Sequence, residues 1–157
     1  MSSGGSVAID IQSILDNVAS HALATGHFEA VLGYTSKQSA TNGVTAAIYI
    51  EEMKAIRTSG LASTSVRLEL EMQIYSSTYQ EPYNDIDASL GRAVDALFTA
   101  LIGDFDLGSE ARNIDVFGAW GQPLRVRSGL MNLSGKEFRV FQVLIPIIVD
   151  DCWDQAA

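Results

Sequence analysis

The sequence predicts an α+β fold in which two helices pack on one face of a mainly antiparallel sheet of five to six strands. Two segments place apolar residues at helical spacing, whereas several others alternate apolar and polar residues as strands do. The strands come in pairs with hairpin-length connections, which favours antiparallel pairing. A chain of 157 residues suits one domain with its own core, so we expect a single domain over residues 1–157.

Both helices are predicted from an apolar stripe bounded by helix-end signals. The first covers residues 7–23, with Ser6 as N-cap and Gly26 as the stop. The second begins at Asn84 or Asp85 and ends at Gly103. Two helices of this length can cover one face of a sheet.

The clearest strand is residues 66–75, where apolar side chains alternate with charged ones. A face of Leu and Met therefore covers the core, and the opposite face meets water or a partner. Further strands are predicted at 28–34, 44–51 and 112–117, and 124–133 with 136–149 forms a hairpin turning at Ser134 and Gly135. We expect residues 1–6 to be a flexible N-terminus, 57–65 a mobile connection, and 150–157 an acidic C-terminal tail.

Composition narrows the classes of function. The 10 Lys plus Arg against 19 Asp plus Glu leave a net charge of -9, the opposite of what duplex-binding domains show. The longest strongly apolar run, residues 143–149, is far shorter than the roughly 20 residues of a spanning helix. We expect a soluble intracellular protein.

Catalytic and metal-binding residues are sparse. His21 and His27 have no nucleophile motif to serve, and Cys152 has no histidine nearby in sequence. The residues around Asp104 and Asp106 lack the third ligand and the bidentate Glu of a calcium loop. We therefore predict no catalytic residue, no cofactor and no metal site.

The charged strand face offers a candidate interface. Arg67, Glu69 and Glu71 alternate along one strand, and Arg125 with Arg127 forms a basic pair on another. One interpretation is that these side chains are solvated and contribute about 0–1 kcal/mol per exposed pair. The other is that opposite charges set the register between subunits.

Several segments of the chain resemble, in their order and spacing, those of one protein family. These segments are ALATGHFE (22–29), RTSGLASTSVRLEL (57–70), VDALF (94–98) leading to GDF (103–105), and FRV (138–140) ahead of PIIVDDCW (146–153). Together they resemble the tail terminator family of long-tailed bacteriophages, also described as tail completion or minor tail protein U-like proteins. The resemblance extends over nearly the whole chain.

The resemblance implies a structural virion protein with an α+β fold that forms a homohexameric ring. Such a ring caps the head-proximal end of the tail tube, stops its polymerisation, and presents the surface on which the head connector docks. The partners implied are the chain itself, the tail tube protein and the connector, with DNA passing through the bore without specific binding. The protein would be assembled in the host cytoplasm. Within this picture, Arg57, Ser59 and Leu61 belong to the segment expected to order against the tube.

Two other functions stay open at this point. Neck and head-completion proteins of similar size also join heads to tails. A non-viral α+β domain that binds a small ligand or catalyses a reaction would need a concave, mostly apolar pocket with convergent polar groups.

Overall fold

The structure is a computed structural model that describes residues 8–32, 44–58, 63–77 and 85–154. These residues form two helices and six strands. In chain order the elements are α1 (Ile11–Ala24), β1 (Ala30–Leu32), β2 (Thr45–Ile56), β3 (Ser63–Ser77), α2 (Ile86–Gly103), β4 (Asn113–Ile114), β5 (Arg125–Leu133) and β6 (Lys136–Asp154).

All six strands belong to one sheet in the order β1-β2-β3-β6, and both β4 and β5 pair with the far side of β6. Every pair is antiparallel except β1 with β2, which is parallel, so the sheet is mixed. The predicted α+β class is confirmed. The predicted hairpin is also confirmed, since β5 and β6 pair from Leu133 with Lys136 onwards.

Both helices pack on the same face of the sheet, which we call the helix-side face. Leu68, Leu70 and Met72 of β3 are fully buried there in one core with Val18 of α1 and Leu97 of α2. This is the arrangement that the alternation in β3 predicts, because residues two apart on a strand share a face. The opposite face of the sheet is called the outer face below.

The helix ends follow the predicted signals with one correction. The N-cap of α1 is Asp10, whose carboxylate accepts a hydrogen bond from the Ser13 N–H at 3.1 Å. The prediction of Ser6 as N-cap was therefore wrong, because an acid four residues later satisfies the first free N–H groups. For α2 the N-cap is Asp85, and the helix ends at Gly103 as predicted.

The last strand is longer than predicted. Residues 150–154, expected to be part of an acidic tail, belong to β6, and beyond a register shift Trp153 and Asp154 pair with Thr64 and Ser63 of β3. Asp150 is held there by hydrogen bonds from Thr58 and Ser65 and by an ion pair with Arg112. These contacts explain why the acidic residues form the end of a strand instead of a free tail. Residues 1–6 and 155–157 of the predicted termini lie outside the described residues.

The connection between β2 and β3 is shorter than predicted. β2 extends to Ile56, and residues predicted as loop already belong to β3. Ser65 pairs with Ile56 of β2, and Ser63 and Thr64 pair with the end of β6. The β2–β3 register shifts by one residue between Ile50 and Glu52, so Glu51 is the extra residue of a β-bulge. Beyond the bulge Glu52 joins Tyr49 on the outer face, and Met53 lies on the helix-side face.

Candidate functional site

A buried arginine organises the outer face. Arg67 projects there from β3, yet its side chain is fully buried. It forms ion pairs with Glu69 on the same strand and with Asp115, at 3.4 Å between Nε and Oδ2. One terminal nitrogen also donates to the carbonyl oxygen of Gln122. Of the two interpretations of Arg67, a solvated side chain or a contact between subunits, neither fits, because a loop from elsewhere in the chain covers this side chain completely.

That loop, residues 115–124, joins β4 to β5 and is called the β4–β5 loop. The carboxylate of Asp115 accepts hydrogen bonds from the backbone N–H groups of Ala119 (2.7 Å) and Trp120 (3.0 Å). Asp115 thus ties the loop to itself and to Arg67 at once. Because a buried charge is costly without its partners, the Arg67 interactions hold this loop against the sheet.

Glycine is required where the loop meets the arginine. A Cβ atom on Gly121 would lie 2.7 Å from Cζ of Arg67, closer than real Cβ contacts occur. Gly118 turns the chain with φ +73°, in the left-handed region that favours glycine. Phe117, immediately before Gly118, is 94% exposed, so the fixed loop displays an aromatic side chain to solvent.

Beside the loop lies a concave pocket of about 290 Å³, which we call the outer-face trough. Its walls carry opposite charges, since β6 separates the acidic strands β2 and β3 from the basic strand β5. The charged lining residues are Glu51, Glu52, Glu69, Glu71, Arg125 and Arg127.

Two of the four glutamates have partners within the chain. Glu69 pairs with Arg67, and Glu71 accepts a hydrogen bond from the hydroxyl of Tyr49. Burial, and then the Glu71 carboxylate, raise the pKa of Tyr49 far above its usual value, so the phenol stays protonated. Glu51 and Glu52, by contrast, are exposed and form no ion pair within the described residues.

The two arginines of the trough are not neutralised by a described carboxylate. Neither Arg125 nor Arg127 forms an ion pair within the residues that the structure describes. Nε of Arg125 is buried and has no hydrogen-bond partner there. Arg127 is exposed, so its charge is available to an external carboxylate.

Apart from the buried Arg67, the predicted interface residues separate into three groups. Glu69, Glu71, Arg125 and Arg127 meet in the trough, as a shared face requires. Arg57 is exposed just after β2, and Ser59 and Leu61 lie outside the described residues. The sequence prediction missed Glu51 and Glu52. The signal was available, because two adjacent acids interrupt the alternation of β2 where the bulge occurs.

A second pocket, of about 350 Å³, lies between α1 and α2. Small and apolar side chains dominate it, and it is lined by His21, Ala24, Thr25, Ala96, Thr99 and Ala100. At its rim Nε2 of His21 lies 2.8 Å from Oδ2 of Asp104. Hydrogen bonds from His21 and from the Gly108 N–H lower the pKa of Asp104, so this pair fixes the turn after α2 to α1.

The remaining candidate reactive groups have structural contacts. The Cys152 thiol lies 3.4 Å from the carbonyl oxygen of Thr64, and burial raises its pKa, which disfavours the nucleophilic thiolate. Within the described ranges no group of three or more His, Cys, Asp or Glu residues could hold a metal ion. None of the described helices is both long and apolar enough to span a bilayer.

Comparison with known proteins adds no further information on function. No protein-family model matches the chain, and a search of curated proteins found no match.

Proposed function

We propose that this chain is a structural assembly protein: the ring-forming tail terminator of a long-tailed bacteriophage. In this role copies of the chain close into a homohexameric ring on the head-proximal end of the tail tube. The ring stops tube polymerisation and receives the head connector. The order of the resembling segments suggests the family, and the outer face supports a role in protein contact.

One observation carries the proposal: the outer face combines a trough of opposite charges with a fixed loop that displays Phe117. An aromatic side chain that is 94% exposed contributes nothing to its own fold's core. Aromatic side chains are enriched at protein interfaces, and complementary charge gives such interfaces their specificity. Because buried ion pairs hold the loop, Phe117 is displayed at little further cost in conformational entropy.

The overall charge agrees with passage of DNA without specific binding. With a net charge of -9 the chain repels the phosphate backbone on average, and binding would need a concentrated basic patch. The two arginines of the trough face four glutamates, so the trough is not such a patch. We therefore expect the bore of the ring to let DNA slide.

The alternatives predict different behaviour. A neck or head-completion protein would also self-associate or join the connector, but it would not control tail length. Among the described residues, the apolar groove between the helices offers some support for a small-ligand protein or enzyme, but its His21 is already paired with Asp104 of the same chain. Genes for a head connector and tail tube beside this one would favour the virion role.

The decisive experiment joins native mass measurement with tail assembly. The purified protein should form a closed ring visible by negative-stain imaging. In an assembly reaction, deletion of residues 59–62 should leave the domain folded but let tails grow past their normal length. Tails of normal length with that variant would reject the tube-facing role of this segment, and a protein that is monomeric at all concentrations would reject the ring.

A further inference from the structure

Two edges of the sheet are left unpaired by the described strands. β5 pairs with β6 on one side only, along all nine of its residues. On the opposite side of the sheet, β1 covers only Thr45 to Ala47 of β2, so residues 48–56 have no described strand beside them. The two open edges have similar lengths. Open edges of this kind are ready to pair with another chain.

The open edges carry opposite charge on the outer face. β5 presents Arg125 and Arg127, and β2 presents Glu51 and Glu52, with Lys54 further along the same face. None of these five residues forms an ion pair within the described part of the chain. A strand that places arginines beside these glutamates would gain cross-strand attraction.

The same edges carry apolar side chains on the helix-side face. Met53 of β2 is 43% exposed, and on β5 Val126 and Leu130 are 38% and 60% exposed. Register assigns all three to one face, because Met53 opposes Leu68, Val126 opposes Val143 and Leu130 opposes Arg139. The edges therefore match on both faces, with charge on one and apolar surface on the other.

The directions of β2 and β5 also allow the two edges to pair. β2, β3, β6 and β5 follow one another with antiparallel pairing at each step, so β2 and β5 run in opposite directions. A second copy placed beside the first with the same face outward brings its β2 antiparallel to the first copy's β5. No rotation of the sheet is needed for hydrogen bonding.

Pairing of two β5 edges is disfavoured by the same charges, because a twofold axis would bring four arginines together. On β2 the charge is mixed, since Lys54 lies two residues beyond Glu52 on the same face. Like charges on neighbouring strands are destabilising and exclude wrong partners. Contact between unlike edges is heterologous, so it repeats until the assembly closes or becomes a filament.

We propose that the β5 edge of one copy pairs with the β2 edge of the next, which extends the sheet from subunit to subunit. Arg125 aligns with Tyr49 across β6 and β3, so bringing it opposite Glu52 shifts each copy by two rungs of the ladder, about 7 Å. In this register Arg127 lies beside Glu51, and Lys54 lies beyond the start of β5. Closing a sheet into a barrel requires a stagger of this kind. This inference rests on the proposed function only in assuming that the series closes into a ring.

Charge reversal on one edge at a time tests the contact. One variant carries Arg125→Glu and Arg127→Glu, and the other carries Glu51→Arg and Glu52→Arg. Each variant alone places like charges in every contact, so its dissociation constant should rise by about tenfold or more. An equimolar mixture restores opposite charges in every contact of an alternating assembly, so association should return. Sedimentation velocity and native mass measurement give the oligomeric state of each variant and of the mixture.

The matched control reverses two acids on the helices, Asp16→Arg with Asp95→Arg, which changes net charge as the β2 variant does. It should associate like wild type. Circular dichroism checks folding, and if a double variant melts early, the exposed single changes Arg127→Glu and Glu52→Arg repeat the test.

Rescue in the mixture, with each variant alone dissociated, would support the contact. Rings of wild-type strength in both variants would overturn it while leaving the proposed function intact. A β5 variant that associates with wild type only, while the β2 variant is unaffected, would show β5-to-β5 pairing and also overturn it. Wild type that never associates would overturn both the contact and the ring.

Discussion

Replacing Gly121 with alanine tests whether the β4–β5 loop is locked onto Arg67. The new methyl carbon would lie 2.7 Å from both Cζ and Nη1 of Arg67, so one of the two must move. The guanidinium cannot move freely, because Glu69, Asp115 and Gln122 hold it on three sides. The loop should therefore shift, or the ion pairs should lengthen.

The magnitude follows from the contact. Forcing one extra carbon into a packed site costs roughly 1–3 kcal/mol. We expect the upper part of that range, because the displaced atoms belong to a buried charge whose ion pairs are expensive to break. Gly91→Ala is the matched control. Gly91 lies inside α2 with no atom within 4 Å of an added Cβ, so the same change should stabilise the protein by about 0.5–1 kcal/mol.

Urea unfolding followed by circular dichroism measures both changes as free energies of unfolding. Opposite signs for the two glycines would agree with a locked loop. Gly121→Ala within about 0.5 kcal/mol of wild type would refute the reasoning, since that is the usual range for surface substitutions away from such contacts. In that case Arg67 and the loop would be free to adjust.

Three further predictions concern the core, the end of β6 and the candidate reactive groups. Leu97→Ala should lower the free energy of unfolding by about 2–5 kcal/mol because Leu97 is fully buried, whereas Leu23→Ala, at a half-exposed position, should change it little. Partial burial acts to raise the pKa of Asp150, but hydrogen bonds from Thr58 and Arg112 outweigh it and hold that pKa below its usual value. The stability that ionised Asp150 contributes is therefore fully present above its unfolded pKa of about 4 and is lost as the pH falls through its folded pKa. When the free energy of unfolding is measured against pH, Asp150→Asn should lose less stability in acid than wild type does. Replacing His21, His27 and Cys152 with alanine should leave assembly intact, and loss of assembly by a folded variant would argue for a chemical role.

The helices and strands could be predicted because the pattern of apolar and polar residues that indicates each of them lies within a short stretch of sequence. The alternation in β3 identified the residues under the helices, and the stripe in α2 identified Leu97 as core. Arg67 could not be placed in this way, since its position on the strand is the same as that of a solvated residue. Its burial depends on a loop about 50 residues further along the chain. Likewise, the acids of residues 150–154 carry no local sign that Thr58, Ser65 and Arg112 will hold Asp150 in a strand.

The candidate site was predicted in part for the same reason. Glu69 and Arg125 were recognised as members of charged strand faces, but their meeting in one trough depends on β6 lying between β3 and β5. Glu51 and Glu52 were missed because a bulge changes which residues share a face, and period-two alternation fails at that point.

The position of β6 has a consequence for how the chain folds. It pairs with β3 across separations of 61 residues (Ser77 with Phe138) to 91 residues (Ser63 with Asp154), and it also supports β4 and β5. Long-range pairing of this kind slows folding, because a large loop must close before any contact forms. During synthesis β3 emerges well before β6, so for that interval its apolar row and one edge lack their partner. Nascent chains in this condition are prone to aggregate, and slower production at low temperature should improve the yield of folded protein.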